Sequence, residues 1–140
     1  MASKEFMFRI LTPGAELFSG MVTDVVIPAH DGEAGVLPLH KDMISLLGTG
    51  VLKLVKDGDD YWFVVSSGIF EVRGGEVTVL AEMGEPADVV DIEAAKAEET
   101  RLAPMFAEKN SFAEDFEEFK VAYERAKARI EIHRRTHSVH

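Results

Sequence analysis

Arg125 and Arg129 stand four residues apart in the run Arg125-Ala126-Lys127-Ala128-Arg129, which reads as helix, so both guanidiniums share one face. Two planar forks one turn apart suit a polyphosphate, because each can make bidentate charge-assisted bonds. The plainer reading is a pair of exposed helix charges that meet glutamates or another subunit. His133 and His137 repeat the four-residue spacing and could offer two imidazoles to a transition metal. A metal site needs two further ligands and a rigid frame, and a frayed polar tail ending at His140 is the simpler reading. For His30 and His40 a hydrogen-bonded structural role is the simpler reading. Asp59-Asp60 and Glu117-Glu118 read as solvated faces, not as acid/base dyads. Gly32-Glu33-Ala34-Gly35 lacks the Lys-Ser/Thr that a phosphate-cradling loop requires. No local motif joins Ser, His and acid into a nucleophile triad. The residues favour binding over bond making.

The elements that must position these residues come in two halves with different periods. In the first, Phe6, Phe8 and Ile10 share one face of a strand. The run Met21 to Ile27 is rich in β-branched residues and ends at Pro28. Asp57-Gly58-Asp59-Asp60 and Arg73-Gly74-Gly75-Glu76 each sit between apolar runs and predict two β-hairpins. Many short strands with regular turn signals predict an antiparallel β-sandwich or a barrel over the first 88 residues. The segment Pro28-Ala29-His30-Asp31-Gly32-Glu33-Ala34-Gly35-Val36-Leu37-Pro38-Leu39-His40 packs Gly, Pro, His and acid together, and predicts a long shaped loop without regular structure.

After Pro86 the pattern changes to Ala, Glu, Lys and Arg, and Gly disappears from Asp91 onward. Asp91 is placed to cap a first helix, with Glu93 in its first turn. Pro104 should kink or end that helix near Leu102. Ser111 with Glu114 forms a capping-box pattern for a second helix. Phe112, Phe116, Phe119, Tyr123, Ala126 and Ile130 then trace an apolar stripe at coiled-coil spacing. Acids early and bases late in this helix complement its dipole. Residues 89–140 therefore predict an antiparallel helical hairpin. The first helix has a thinner apolar face in Ile92, Ala95, Leu102, Met105 and Phe106. Ordering a residue costs about 1–2 kcal/mol, so a hairpin this small must lean on the sandwich or on a partner. An element so marginal can hold two docked states of similar free energy.

The formal net charge of −10 argues against an electrostatic grip on nucleic acid or anionic lipid. Without cysteine there is no disulfide or thiolate chemistry. No apolar run is long enough to span a bilayer. Met1 to Glu5 lead into Phe6-Met7-Phe8 with no signal-like pattern, which predicts a cytoplasmic location.

The central segment, with Thr12-Pro13-Gly14 and Leu17-Phe18-Ser19-Gly20 before it and Ser67-Gly68-Ile69-Phe70-Glu71-Val72 and Val77-Thr78-Val79-Leu80-Ala81 after it, resembles the epsilon subunit of bacterial and plastid F-type ATP synthases, whose mitochondrial counterpart is called delta. The resemblance covers most of residues 6–82. It implies a non-catalytic central-stalk subunit, with residues 1–88 as a sandwich that binds gamma and the ring of c subunits. Residues 89–140 are then a regulatory hairpin able to meet the catalytic alpha and beta subunits and restrain ATP hydrolysis. It implies a peripheral position on the cytoplasmic face of the bacterial inner membrane, with no nucleic acid and no direct membrane insertion. By the same resemblance Asp31, Gly32 and Glu33 face the rotor ring, although Leu39 stands where the family has Gly. No cofactor is required. Regulatory ATP is the candidate ligand, with Glu82, Ile92, Glu93, Lys96, Arg125 and Arg129 at its site, and here Glu93 replaces the family Asp and Lys96 the family Arg. Two other classes stay open on the residues alone: a free-standing nucleotide- or small-molecule-binding sandwich with a helical lid, and a small hydrolase using His30 or His40.

Overall fold

The alternating strands of the first half pair as β1 (Phe6–Thr12), β2 (Ala15–Val22), β3 (Asp24–Ala29), β4 (Gly32–Val36), β5 (Met43–Leu47), β6 (Gly50–Lys56), β7 (Asp59–Arg73) and β8 (Glu76–Pro86). A single 3-10 turn, Ala87–Val89, leads into α1 (Ile92–Glu108) and α2 (Phe116–Thr136). The computed structural model describes residues 4–36, 41–108 and 114–137. Strand order is β2-β1-β8-β7-β5-β3-β4, with β6 joining β3 to β7. β1 runs parallel to β8 and the other pairs are antiparallel. The sheet folds over on itself as a β-sandwich. Phe8, Ile10, Ile27, Leu52, Leu54 and Phe70 are among the side chains fully enclosed between its layers. Each such side chain contributes roughly 1.5–3 kcal/mol by leaving water.

β7 is one strand of 15 residues where the sequence predicts two short ones. Phe63 and Val65 face the sandwich core, and beyond Ser67-Gly68 it is Phe70 and Val72 that do so. The inward parity has switched. Ser67 and Gly68 have φ of 61° and 124°, and a Cβ at Gly68 would run into the Leu80 carbonyl oxygen. The irregularity lets one strand serve both layers. It also turns Trp62, Val64 and Ser66 outward on the side where α2 lies. The predicted hairpin at Asp57-Gly58 is present, with φ of 53° and 81°, and pairs Lys56 with Asp59. The second hairpin pairs Arg73 with Glu76.

Several expectations need correction. The segment from Pro28 is more regular than a shaped loop, for it holds the end of β3 and all of β4, a hairpin in which Pro28 faces Glu33 and Ala29 faces Gly32. Pro28 can sit in a strand because its carbonyl, not its missing amide, makes the contact: it accepts from Gly48 N at 2.7 Å. Leu39 and His40 lie outside the described residues. The apolar run Met21 to Ile27 breaks at Thr23 into the end of β2 and the start of β3. α1 does not end near Leu102 but continues through Pro104 to Glu108. Thr100, whose carbonyl loses its partner there, is solvent-exposed and can be hydrated. The helix N-terminus behaves as predicted, with Asp91 Oδ1 accepting from Ala94 N at 3.0 Å. Ser111 and Phe112 fall outside the described residues, and the described part of α2 starts at Phe116.

The α2 stripe is only part of its packing. Ala126 is fully buried and Phe116, Phe119, Tyr123 and Ile130 are half-buried, but Ala128 and Ile132 are the deeply buried pair on the sandwich side. α2 packs on β6 and β7, while α1 packs along α2 through its buried Ala95 and Leu102. One helix therefore needs two apolar faces, and a single coiled-coil seam describes only one. His133, Arg134 and Arg135 close the last helical turn, so the chain is helical to Thr136 where a frayed tail is predicted.

Candidate functional site: the seam between hairpin and sandwich

α2 rests on the outward face of β6 and β7. Val51, Val64, Ala128 and Ile132 form a buried cluster there, with Trp62, Met83, Ala87 and Val90 packed against it. Polar contacts flank the apolar patch. Arg125 donates Nε–H to the Ser66 hydroxyl at 2.8 Å, and that hydroxyl also bonds the Thr49 hydroxyl at 2.9 Å. Ser66 is fully buried, a polar side chain inside an apolar face, and these two bonds satisfy it. Arg129 donates Nε–H to Glu85 at 2.5 Å, with both side chains largely shielded from water.

The two arginines line a cleft of about 490 Å³ with Glu85, Asp91, Glu98, Ala95 and Ala122. Of the nucleotide candidates, Arg125 and Arg129 reach this cleft and the other four do not line it. Glu93 and Lys96 are exposed on α1, and Ile92 is half-buried. Glu82 lies on a separate shallow surface with Leu11, Thr12, Pro13 and Leu80. β8 explains this. Leu80 and Glu82 face outward where β8 pairs with β1, whereas past Met83 the strand presents Glu85 to α2. Glu85, the acid that meets Arg129, carries no motif, and sequence reasoning missed it. The one signal was an acid directly before Pro86 at the end of the last strand. A polyphosphate in this cleft would have to displace Glu85 and lie among three carboxylates. Two of these have work already: Asp91 caps α1, and Glu98 holds Arg101 at 2.7 Å. The donor set as folded suits an internal ion pair better than a tri-anionic ligand.

At the other end of α2, Asp31, Gly32 and Glu33 form the exposed tip of the β3–β4 hairpin. Glu33 is not isolated, because Arg135 Nη1 lies 3.7 Å from its carboxylate. Arg135 also donates to Glu131 at 2.6 Å, and Arg134 bonds the same carboxylate. The Arg134 hydrogen bond first, and the Arg135 one second, hold the Glu131 carboxyl below its usual value of 4.5. Tip and helix end together wall a cavity of about 450 Å³ with Thr49, Gly50, Glu124 and Lys127.

Among the described residues, the histidine candidates His30, His133 and His137 do not assemble a site. The His30 imidazole is exposed, and the bond that holds this residue is from its backbone N–H to the Leu46 carbonyl at 3.0 Å. His133 and His137 stack with ring centroids 4.0 Å apart. No group of three or more metal-binding side chains occurs among the described residues, and no described helix is long and apolar enough to cross a membrane. One surface went unremarked in the sequence. Leu46, Ile69, Leu80 and Leu11 are register neighbours across β5, β7, β8 and β1. Leu46 and Leu80 are exposed, as is Ile44 two residues before Leu46.

The sandwich matches the family described as "ATP synthase, Delta/Epsilon chain, beta-sandwich domain" over residues 5–87. Among similar sequences, the ATP synthase epsilon chain of Pelotomaculum thermopropionicum is 37% identical over 109 residues, 78% of this chain and 81% of that one. The ATP synthase epsilon chain of Geotalea uraniireducens is 32% identical over 130 residues, 93% of this chain and 94% of that one. A chain in the mitochondrial ATP synthase structure of Euglena gracilis (OSCP/F1/c-ring) superposes with a TM-score of 0.77 at 18% identity, covering 91% of this chain and 79% of that one. The ordered motifs, the folded-over sheet with its two appended helices and these matches agree: the chain belongs to the ATP synthase delta/epsilon family and is an epsilon-type, non-catalytic subunit.

Proposed function

We propose that this chain is a central-stalk rotor subunit of a proton-translocating F-type ATP synthase, that it couples rotation to ATP synthesis, and that its helical hairpin restrains ATP hydrolysis. Family membership over the whole sandwich supports the stalk role. The observation that carries it into this molecule is the outward apolar row Leu46–Ile69–Leu80–Leu11 with Ile44, exposed at Leu46, Leu80 and Ile44 and half-buried at Ile69 and Leu11. A contiguous apolar patch on an otherwise strongly acidic chain marks a protein contact. The gamma subunit is the partner we assign to it. The tip at Asp31, Gly32 and Glu33 meets the ring of c subunits, so the sandwich transmits torque as a rigid body. The chain then sits peripherally, on the cytoplasmic face of a bacterial inner membrane.

Restraint of hydrolysis needs no chemistry in this chain. α2 is held by one small apolar cluster and a few polar bonds, a docking weak enough to release. Released, its basic stretch from Arg125 to Arg135 can lie along gamma and meet acidic loops of the alpha and beta subunits. A charged helix so placed blocks rotation mechanically. Affinity capture with the tagged full chain from detergent-solubilised source membranes tests the assignment. A stalk subunit brings down gamma and ATPase activity. A free-standing binding module brings down neither, and that outcome would remove the stalk reading.

A further inference from the structure

Arg125 and Arg129 reach two different strands, and both acceptors are built into the sandwich. Ser66 lies opposite Met83 on β8, and Glu85 is two residues further along that strand, opposite Val64. Two residues of strand advance about 6.8 Å, and four residues of helix advance about 6 Å. Ser66 and Glu85 are also one strand apart, about 4.8 Å, so the acceptors lie on a diagonal that two long arginine side chains one helical turn apart can span, and both bonds close when α2 lies down once. We propose that Arg125 and Arg129 form a two-point polar latch that docks the helical hairpin on the sandwich, with Ser66 and Glu85 as its catches, and that the latch closes without any nucleotide.

Three observations carry this. Ser66 is fully buried beneath α2 and bonded to Arg125 and to Thr49, so lifting the helix removes one partner from a group that has no other apparent reason to be polar on an apolar face. Glu85 supplies the negative charge Arg129 faces in the cleft, where a phosphate would otherwise be needed. The latch also borders the apolar cluster of Val51, Val64, Ala128 and Ile132 on its β8 side, next to Val64, so polar and apolar contacts release together. The inference stands on the isolated chain and does not depend on the stalk assignment.

Trp62, the one tryptophan of the chain, packs against that cluster and reports docking directly. The experiment compares the full-length chain with Arg129→Ala, with Glu85→Gln, and with the charge-swapped double variant Arg129→Glu/Glu85→Arg. Its readouts are Trp62 emission and backbone hydrogen exchange. Each single change should red-shift Trp62 and speed exchange in α2 by about tenfold, while β1 and β8 keep their protection. The charge swap should recover much of both signals, and it decides the matter if a single variant unfolds outright. Millimolar ATP should leave wild-type exchange in α2 unchanged. Unaltered Trp62 emission and α2 exchange in both single variants would overturn the latch. So would ATP-induced protection of α2 that disappears in Arg125→Ala, because the arginines would then serve a nucleotide.

Discussion

Arg135, in the last turn of α2, lies 3.7 Å from Glu33, on the strand that leaves the β3–β4 turn. The end of the helical hairpin thus touches the part of the sandwich proposed to meet the rotor ring. A charge change at Glu33 is felt on both sides.

Glu33→Lys should uncouple more than it unfolds. Glu33 is exposed, and substitutions at such positions usually alter stability by less than about 0.5 kcal/mol. Reversed charge at a rim contact changes register and association, and here it also faces Arg135 with a like charge. The expected result is a nearly unchanged melting temperature with weakened ATP-driven proton pumping. Normal pumping would take Glu33 out of the ring contact.

A fragment of residues 1–88 should fold by itself. The main core, from Phe6 to Ala81, lies entirely within it, and the smaller cluster loses Ala128 and Ile132 with the neighbouring Val90. Denaturant unfolding should be one cooperative transition, with Trp62 emission red-shifted from the start. In the assembled enzyme the same truncation should permit ATP synthesis and raise ATP hydrolysis. Unchanged hydrolysis across ATP concentrations and membrane energisation states would make the hairpin purely structural.

Gly68→Ala should be severe although it adds one methyl group. The backbone there has φ of 124°, and the new Cβ would meet the Leu80 carbonyl. Strain of this kind costs on the order of 1–3 kcal/mol, and the steric conflict adds to it. Because Gly68 sits where β7 switches its inward face, the loss should appear as global unfolding at lower denaturant, not as local loosening. A Gly68→Ala chain of wild-type stability would remove the switch from the account.

The ion pairs at the end of α2 predict a pH dependence. Glu131 has its folded carboxyl pKa lowered by Arg134 and Arg135. Its contribution is therefore present above the usual value of 4.5 and fades as pH falls through that value and then through the folded one. Both arginines are exposed, so water screens the interaction and the contribution is small. Wild type should exceed Glu131→Gln in stability at neutral pH, and the gap should close on acidification. A gap that widens in acid would contradict the assignment.

The elements legible in sequence were those set by short-range pattern. Phe6, Phe8 and Ile10 alternate because their strand has one buried face, and Asp57-Gly58 marks its turn because the backbone there needs positive φ. The helical half was legible from Asp91 and the loss of Gly. The seam was legible only in part. Arg125 and Arg129 could be paired by helical spacing, but Ser66 and Glu85 could not be chosen as their partners. That choice depends on Ser67-Gly68 switching the face of β7 and on β8 crossing from one layer to the other. A strictly alternating strand would have pointed to Glu82. The second face of α2, at Ala128 and Ile132, was hidden because the small Ala128 does not stand out as apolar and Ile132 falls off the stripe that ends at Ile130.

The central claim is that this chain couples rotation to catalysis, and the direct measurement is the ratio of protons pumped to ATP hydrolysed. Source membranes stripped of their own copy of this subunit should show ATP hydrolysis with little pumping. Adding back the purified full chain should restore pumping per ATP, and adding back a variant with Leu46 and Leu80 both changed to Glu should not, because the apolar row would no longer seat on gamma. A pumping ratio that stays the same with and without the chain would contradict the account.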